Sequence, residues 1–321
     1  MYHIIIFLIV LFIYLHVYFQ VSTNDEIEVL EIEQPTKDKF EKICNLKQPF
    51  IFNYNVNNKF DVKDTDTFLN IRNVNYRDEN ESLYIPLKYT EATKLFQKDE
   101  DGSYYSENNN DFLLETKNIK YIQDNDPFLM PPCSLIKHHD YLLGSKNSHT
   151  PLRFEINFRN FFHVISGSVE IRLIPPNYIN NLYPIYDYEN FEFYSKINPW
   201  KVEPQYLNDY NKVKSILLTA KEGQIINIPP YWWYSIKFKE QNTEIISFKY
   251  RTFMNYLAIT PYMFMHYLQL QNIKQKTVKS YSDFVVEGVE NEDNQKQDNQ
   301  KQDNNKETCE TNKETEGSTI N

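Results

Sequence analysis

Residues 2–21 (YHIIIFLIVLFIYLHVYFQV) contain no Lys, Arg, Asp or Glu, and about 20 such residues are what a helix needs to cross a bilayer. No other segment constrains the chain so tightly. A cleaved signal peptide would show a basic leader, a shorter apolar run and a small-x-small cleavage site. This run is long, lacks Lys and Arg ahead of it, and has no A-x-A before Thr23, so the reading is an uncleaved transmembrane anchor over residues 1–22. A cleaved signal and a buried core helix are the alternatives. The first Lys or Arg on either side is Lys37, so the charge rule for orientation has little to act on. The expectation is a single-pass membrane protein with its globular part on the non-cytoplasmic side. Asn80-Glu81-Ser82 is a glycosylation sequon, a triplet common by chance.

At the other end, residues 287–321 are rich in Glu, Asp, Asn, Gln and Lys, and QKQDN at 295–299 repeats at 300–304. Such a segment cannot bury enough apolar surface to offset its ordering entropy, and reads as a disordered acidic tail. With 34 Lys plus Arg against 44 Asp plus Glu, the net charge is -10. There is no general basic footprint for a phosphate backbone, and no nucleic-acid partner is expected. Cys44, Cys133 and Cys309 have no CxxC or CxxH spacing. They give no disulfide framework or cysteine zinc site, and leave open at most one Cys44–Cys133 bridge.

Between these ends, short β-type runs recur at 49–54, 161–165, 169–174, 215–218, 224–228, 234–238 and 244–250. Bounded by Gly, Pro and Asn, they predict antiparallel strands. Helical patterns lie at 37–43, 90–97 and 261–274; in the last, Thr260 is expected as N-cap and Pro261 as the first helical residue. This late helix is too short and polar for a second span and is read as a packing or homodimerisation helix. The expected domains are 27–252 for a β domain and 253–286 for a helical segment. Two blocks, 150–176 and 222–238, each read as strand, tight turn, strand. The first turns at Ser166-Gly167-Ser168, and Pro229-Pro230 fixes the second.

These blocks resemble the cupin-like, JmjC-type domains of iron and 2-oxoglutarate oxygenases, including the asparaginyl hydroxylases. Thr150-Pro151-Leu152, Asn160-Phe161-Phe162, Gly167, Pro175-Pro176, Ile228-Pro229 and Tyr231-Trp232-Trp233 match that family's motifs in order. Lys47-Gln48-Pro49-Phe50-Ile51-Phe52 matches its early strand. The resemblance, over about residues 27–250, implies a mainly β double-stranded β-helix with flanking helices. It also implies a site of two His and one carboxylate on Fe(II). At the matching positions this chain has Arg153, Glu155 and Tyr234, and Val169 stands where the family's cosubstrate lysine would be. Arg cannot ligate a dication.

The metal-site positions are therefore degenerate. No catalytic residue, metal or cofactor is expected, and the chain is read as a pseudoenzyme acting as a binding or scaffold module, with a protein or peptide as its candidate partner. Arg153 and Glu155, two residues apart, are expected to pair inside the barrel in place of iron. Asn160, Trp232 and Trp233 are pocket candidates, although barrel packing accounts for the two Trp. One alternative is an active oxygenase with Fe(II), 2-oxoglutarate and an unusual ligand set such as Glu155 with His163 or His149. His138-His139-Asp140 is a further candidate triplet. The other alternative is a small-anion or sugar-binding module using Arg153 and the Trp pair.

Overall fold

Alternation of side chains along a strand lets one sheet present different chemistry to its two faces, and here it builds a two-sheet barrel. The computed structural model describes residues 2–54, 60, 62, 66–74, 84–116 and 118–274. The sequon at Asn80, Cys309 and the acidic tail lie outside the described residues. Met1–Tyr76 with Tyr84–Gln269 form one compact unit; of the second, Arg77–Leu83 with Leu270–Asn321, only the end of the last helix is described.

The larger sheet holds, in spatial order, β1 (Leu30–Ile32), β2 (Phe50–Asn53), β13 (Gln224–Asn227), β8 (Arg159–Ser166), β15 (Thr243–Thr252), β6 (Ser134–Gly144), β5 (Tyr104–Ser106), β3 (Phe68–Asn73) and β4 (Ile85–Lys88). The smaller holds β10 (Pro184–Asp187), β11 (Glu192–Ser195), β7 (Arg153–Phe154), β14 (Trp233–Phe238), β9 (Ser168–Ile174) and β12 (Ile216–Lys221). All pairings are antiparallel except β1 with β2. The helices are α1 (Tyr2–Val21), α2 (Lys37–Cys44), α3 (Tyr89–Lys98), α4 (Asn110–Glu115), α5 (Ile119–Leu129), α6 (Leu207–Tyr210), α7 (Phe253–Ala258) and α8 (Thr260–Lys274).

Both blocks do run strand, tight turn, strand, but the two strands of each block lie in different sheets. β8 belongs to the larger sheet and β9 to the smaller, so Gly167 at φ 76° carries the chain between sheets. The Pro229-Pro230 segment, with Tyr231 at φ 66°, does the same from β13 to β14. A tight turn looks alike in sequence whether its strands pair or part; where their apolar faces are buried decides the outcome. Thr260, expected as the N-cap, is instead the first residue of α8, and its hydroxyl donates to Tyr256 O at 3.2 Å. Cys44 and Cys133 are both free thiols.

Phe162, Val164 and Ile245 from the larger sheet meet Val169, Ile171, Leu173, Ile236 and Phe238 from the smaller in a fully buried core. The larger sheet's other face, with Phe161, Phe248 and Tyr250, is covered by Phe40 of α2, Phe112 of α4 and Tyr121 of α5. Outside the smaller sheet, Phe154 and Trp233 pack with Ile174, Phe193 and Ile259.

α1 is long and apolar enough to cross a membrane, and its side chains are almost all exposed. Its C-terminal end is tied to the barrel. The Lys47 ammonium donates to the carbonyls of Phe19 and, at 2.6 Å, Ser22. Asn24 Nδ2 donates to Leu46 O at 3.1 Å, and Trp232 Nε1 to Asn24 O at 2.9 Å. A cation on the last carbonyls of a helix satisfies groups that have no intrahelical partner.

Candidate functional site: an ionic barrel end

The inward residues change character along the barrel. On β15 they run from Ile245 through Ser247 to Lys249 and Arg251, and on the paired β6 from Leu142 through Asp140 to His138. One end is therefore apolar and the other is a cavity of about 280 Å³, whose lining includes Glu107, His138, Asp140, Arg153, Glu155, Glu192, Lys249 and Arg251.

β7 and β14 pair with Arg153 opposite Tyr234, so two of the positions matched to the oxygenase ligands do meet here. Their partners differ from the expected Arg153–Glu155 pair. Arg153 Nη2 lies 2.6 Å from Glu107 Oε2, with both side chains nearly inaccessible. Glu155 Oε1 instead takes Lys249 Nζ at 2.6 Å and the Tyr234 hydroxyl at 3.1 Å, while Asn157 Nδ2 donates to its other oxygen at 3.1 Å. Glu107 is the hub. Its Oε1 also receives Arg72 at 3.2 Å, Tyr84 at 3.2 Å and Tyr105 at 3.3 Å. Arg72 and Tyr84 reach on to Glu192 at 3.4 and 3.3 Å.

Burial alone would raise the Glu107 carboxyl, but Arg153 and Arg72 overcome it and hold the group well below its ordinary range. Glu155 is likewise lowered against its burial by Lys249 and Arg153. Lys249 is raised, since the nearby Glu155 outweighs the burial that would lower it. Burial pushes the Tyr234 phenol up, with the attraction of Arg153 too weak to reverse it, so Tyr234 is a hydroxyl donor and not a phenolate. Asp140 is raised to about 6 by burial, partly countered by the backbone N–H groups of Asn108 and Asn109 at 2.9 and 2.6 Å. His138 is lowered to about 4 by burial and by the Lys249 charge.

This arrangement does not fit an iron and 2-oxoglutarate site. A guanidinium, a carboxylate already neutralised by Lys249 and a protonated phenol stand where three metal ligands would be, and a dication there would face Arg153 and Lys249. Among the described residues, no group of three or more His, Cys, Asp or Glu has metal-holding geometry. Val169 is fully buried in the apolar core.

The other candidates lie elsewhere. His163 Nδ1 is 2.6 Å from the Tyr121 hydroxyl on the helix-covered face, and His149 Nε2 is 2.9 Å from Asn198; neither lines the cavity with Glu155. His139 Nε2 bonds Asp126 at 2.8 Å, whereas its neighbours His138 and Asp140 do line the cavity. Asn160 is fully buried, donating to Ile228 O and accepting from Asn157, both at 3.1 Å. Trp232 and Trp233 are fully buried in separate clusters and offer no stacking face.

Sequence reasoning missed Glu107, Arg72, Glu192 and Lys249 as site residues. For Lys249 there was a signal, a lysine at an inward position of an apolar alternating run. For Glu107, on the segment after β5, there was none.

Residues 27–256 match the cupin-like domain family. This chain is a member of that family. Over 96 residues the cupin-like chain is 27% identical to HSPB1-associated protein 1 of Bos taurus, covering 30% of this chain and 20% of that protein. Over 103 residues it is 30% identical to JmjC domain-containing protein D of Dictyostelium discoideum, covering 32% of this chain and 23% of that protein. The aligned part thus spans about a fifth of each relative's length, and what those whole proteins do does not carry over with it.

Proposed function

We propose that this chain is a membrane-anchored cupin-like domain that has given up iron-dependent oxygenation and serves as a binding or scaffold module. The observation that carries the reading is the pair of interior ion pairs, Arg153 with Glu107 and Lys249 with Glu155. Lys249 takes up Glu155, the one carboxylate at a matched ligand position, Arg153 fills another such position with a cation, and both pairs are held by further hydrogen bonds. The composition of α1 supports the anchor. The bovine relative's name records association with HSPB1, and a protein partner of unstated identity is part of the proposal for this chain.

The test is an anaerobic Fe(II) titration of the full chain in detergent micelles with 2-oxoglutarate, together with elemental analysis of the purified protein. Neither bound iron nor cosubstrate turnover is expected. Stoichiometric iron with decarboxylation of 2-oxoglutarate would overturn the reading.

One observation favours a second reading, a small-anion site. Arg251 lines the cavity, and its Nε donates to Asn157 Oδ1 at 2.5 Å. Its guanidinium forms no ion pair among the described residues. Stabilisation of the full chain by sulfate, lost in Arg251→Met, would support that reading; equal stabilisation of both proteins would count against it.

A further inference from the structure

Besides α1, the described chain has one other long segment without Asp, Glu, Lys or Arg, residues 253–273, which covers α7 and nearly all of α8. The two uncharged segments touch, since α7 packs against α1. Within α1 the half-covered residues are His16 and Val17, and the one buried residue is Gln20. Contact is therefore confined to the last turns of a helix about 30 Å long. If α1 spans a bilayer of matching thickness, that level is where hydrocarbon gives way to headgroups. The Lys47 ammonium on the terminal carbonyls marks the same polar boundary.

The faces of α8 divide cleanly. Ile259, just before it, is fully buried, and Tyr262 and Met263 pack with Ile259 and Phe193 on the barrel. The His266 Nδ1 lies 2.5 Å from Tyr188 O. The opposite side presents Phe264, Met265, Tyr267 and Leu268, with both aromatic side chains 57% exposed, and Phe253 and Leu257 of α7 are exposed too. Scattered exposed apolar residues are ordinary, but four on one face of a helix mark an interaction surface. Aromatic and aliphatic side chains on one helix face suit the headgroup layer, where ring and polar tip are both satisfied.

We infer that the exposed face of α7 and α8 lies in the membrane interface beside α1, giving the cupin-like domain a second, in-plane contact with lipid. This rests on α1 spanning the membrane. Because the face carries no Lys or Arg, the attraction is apolar and does not require anionic lipid.

Single Trp substitutions in the full chain, reconstituted in phosphatidylcholine vesicles, test it. Phe264→Trp reports the face, Phe12→Trp the middle of α1, and Leu217→Trp an exposed position on β12. Lipids brominated near the headgroup or deep in the acyl chain quench Trp at their own depth, and the emission of the parent chain is subtracted. The expected result is about a twofold loss of the added Phe264→Trp emission with shallow bromines and a smaller loss with deep ones. Phe12→Trp should respond most to deep bromines, and Leu217→Trp to neither. If Phe12→Trp is quenched and Phe264→Trp is not, the interfacial contact is wrong while the anchor stands. Unquenched but blue-shifted Phe264→Trp emission in a dimeric chain would assign the face to a second copy, and would also overturn the inference. If Phe12→Trp itself is unquenched, the anchor fails and the inference with it.

Discussion

Arg153→Met keeps the apolar stem and removes the guanidinium, leaving the Glu107 carboxylate buried with Arg72 as its remaining cation. Two unit charges about 4 Å apart at an effective dielectric of about 20 attract by about 4 kcal/mol, and removing one member of a buried pair costs about 3–5 kcal/mol. Arg72 at 3.2 Å still screens Glu107, which puts the loss at the lower end, about 3 kcal/mol. For a domain of this size that is a fall of about 6–12 °C in Tm. The assay is urea unfolding of the full chain in micelles, followed by the emission of Trp232 and Trp233, both inaccessible in the fold. Glu107→Gln combined with Arg153→Met should cost less than the sum of the single changes by about 2 kcal/mol, because the double variant leaves no charge unpaired between the two. A loss below about 1 kcal/mol for Arg153→Met, or strict additivity in the cycle, would refute the ion-pair account.

Burial lowers His138 and His163 to about 4 from an ordinary 6.5. The unfolded chain then takes up protons first as pH falls, so stability declines between about pH 6.5 and 4, by up to about 3 kcal/mol for the buried His163 and by less for His138, whose ring is reached by water. Asp140, raised to about 6, offsets part of this by protonating first in the folded state. Tm should therefore drop from pH 7 to 5, and His163→Gln should flatten the profile; an unchanged profile would contradict it. Gly167→Ala places a Cβ 2.5 Å from Thr243 Oγ1 at φ 76°, and should lose about 2 kcal/mol in thermal unfolding. Gly223→Ala, at φ 81° with nothing within 4 Å, should lose only about 1 kcal/mol. Lys47→Met removes the cation from the α1 terminus, and the Ser22 amide, bonded to Tyr18 O at 2.9 Å, should lose protection in hydrogen exchange.

The strands that form the barrel core were legible because their apolar residues alternate, as in VEIRLI of β9. β6 was not, since SLIKHHDYLLG mixes inward polar groups of the ionic end with apolar residues of both cores. Its register beside β15 is what places His138 and Asp140 at the cavity. The identities of Arg153, Glu155 and Tyr234 marked where the chain departs from the family's ligand pattern, but not who pairs with whom. Proximity in sequence pointed Arg153 to Glu155. The fold instead brings Glu107 across from the segment after β5 and Lys249 from β15, and no local spacing encodes such a contact.

Arg153 and Lys249 are covalently part of the chain, and this changes when the barrel end becomes complete. A centre finished by a captured ion depends on the supply of that ion, and its stability rises with the ion's concentration. Here Arg153 reaches the interior with β7 and Lys249 with β15, so the last step of assembly is intramolecular. On the proposed reading, the stability of the ionic end should be the same in a chelating medium as in a metal-rich one.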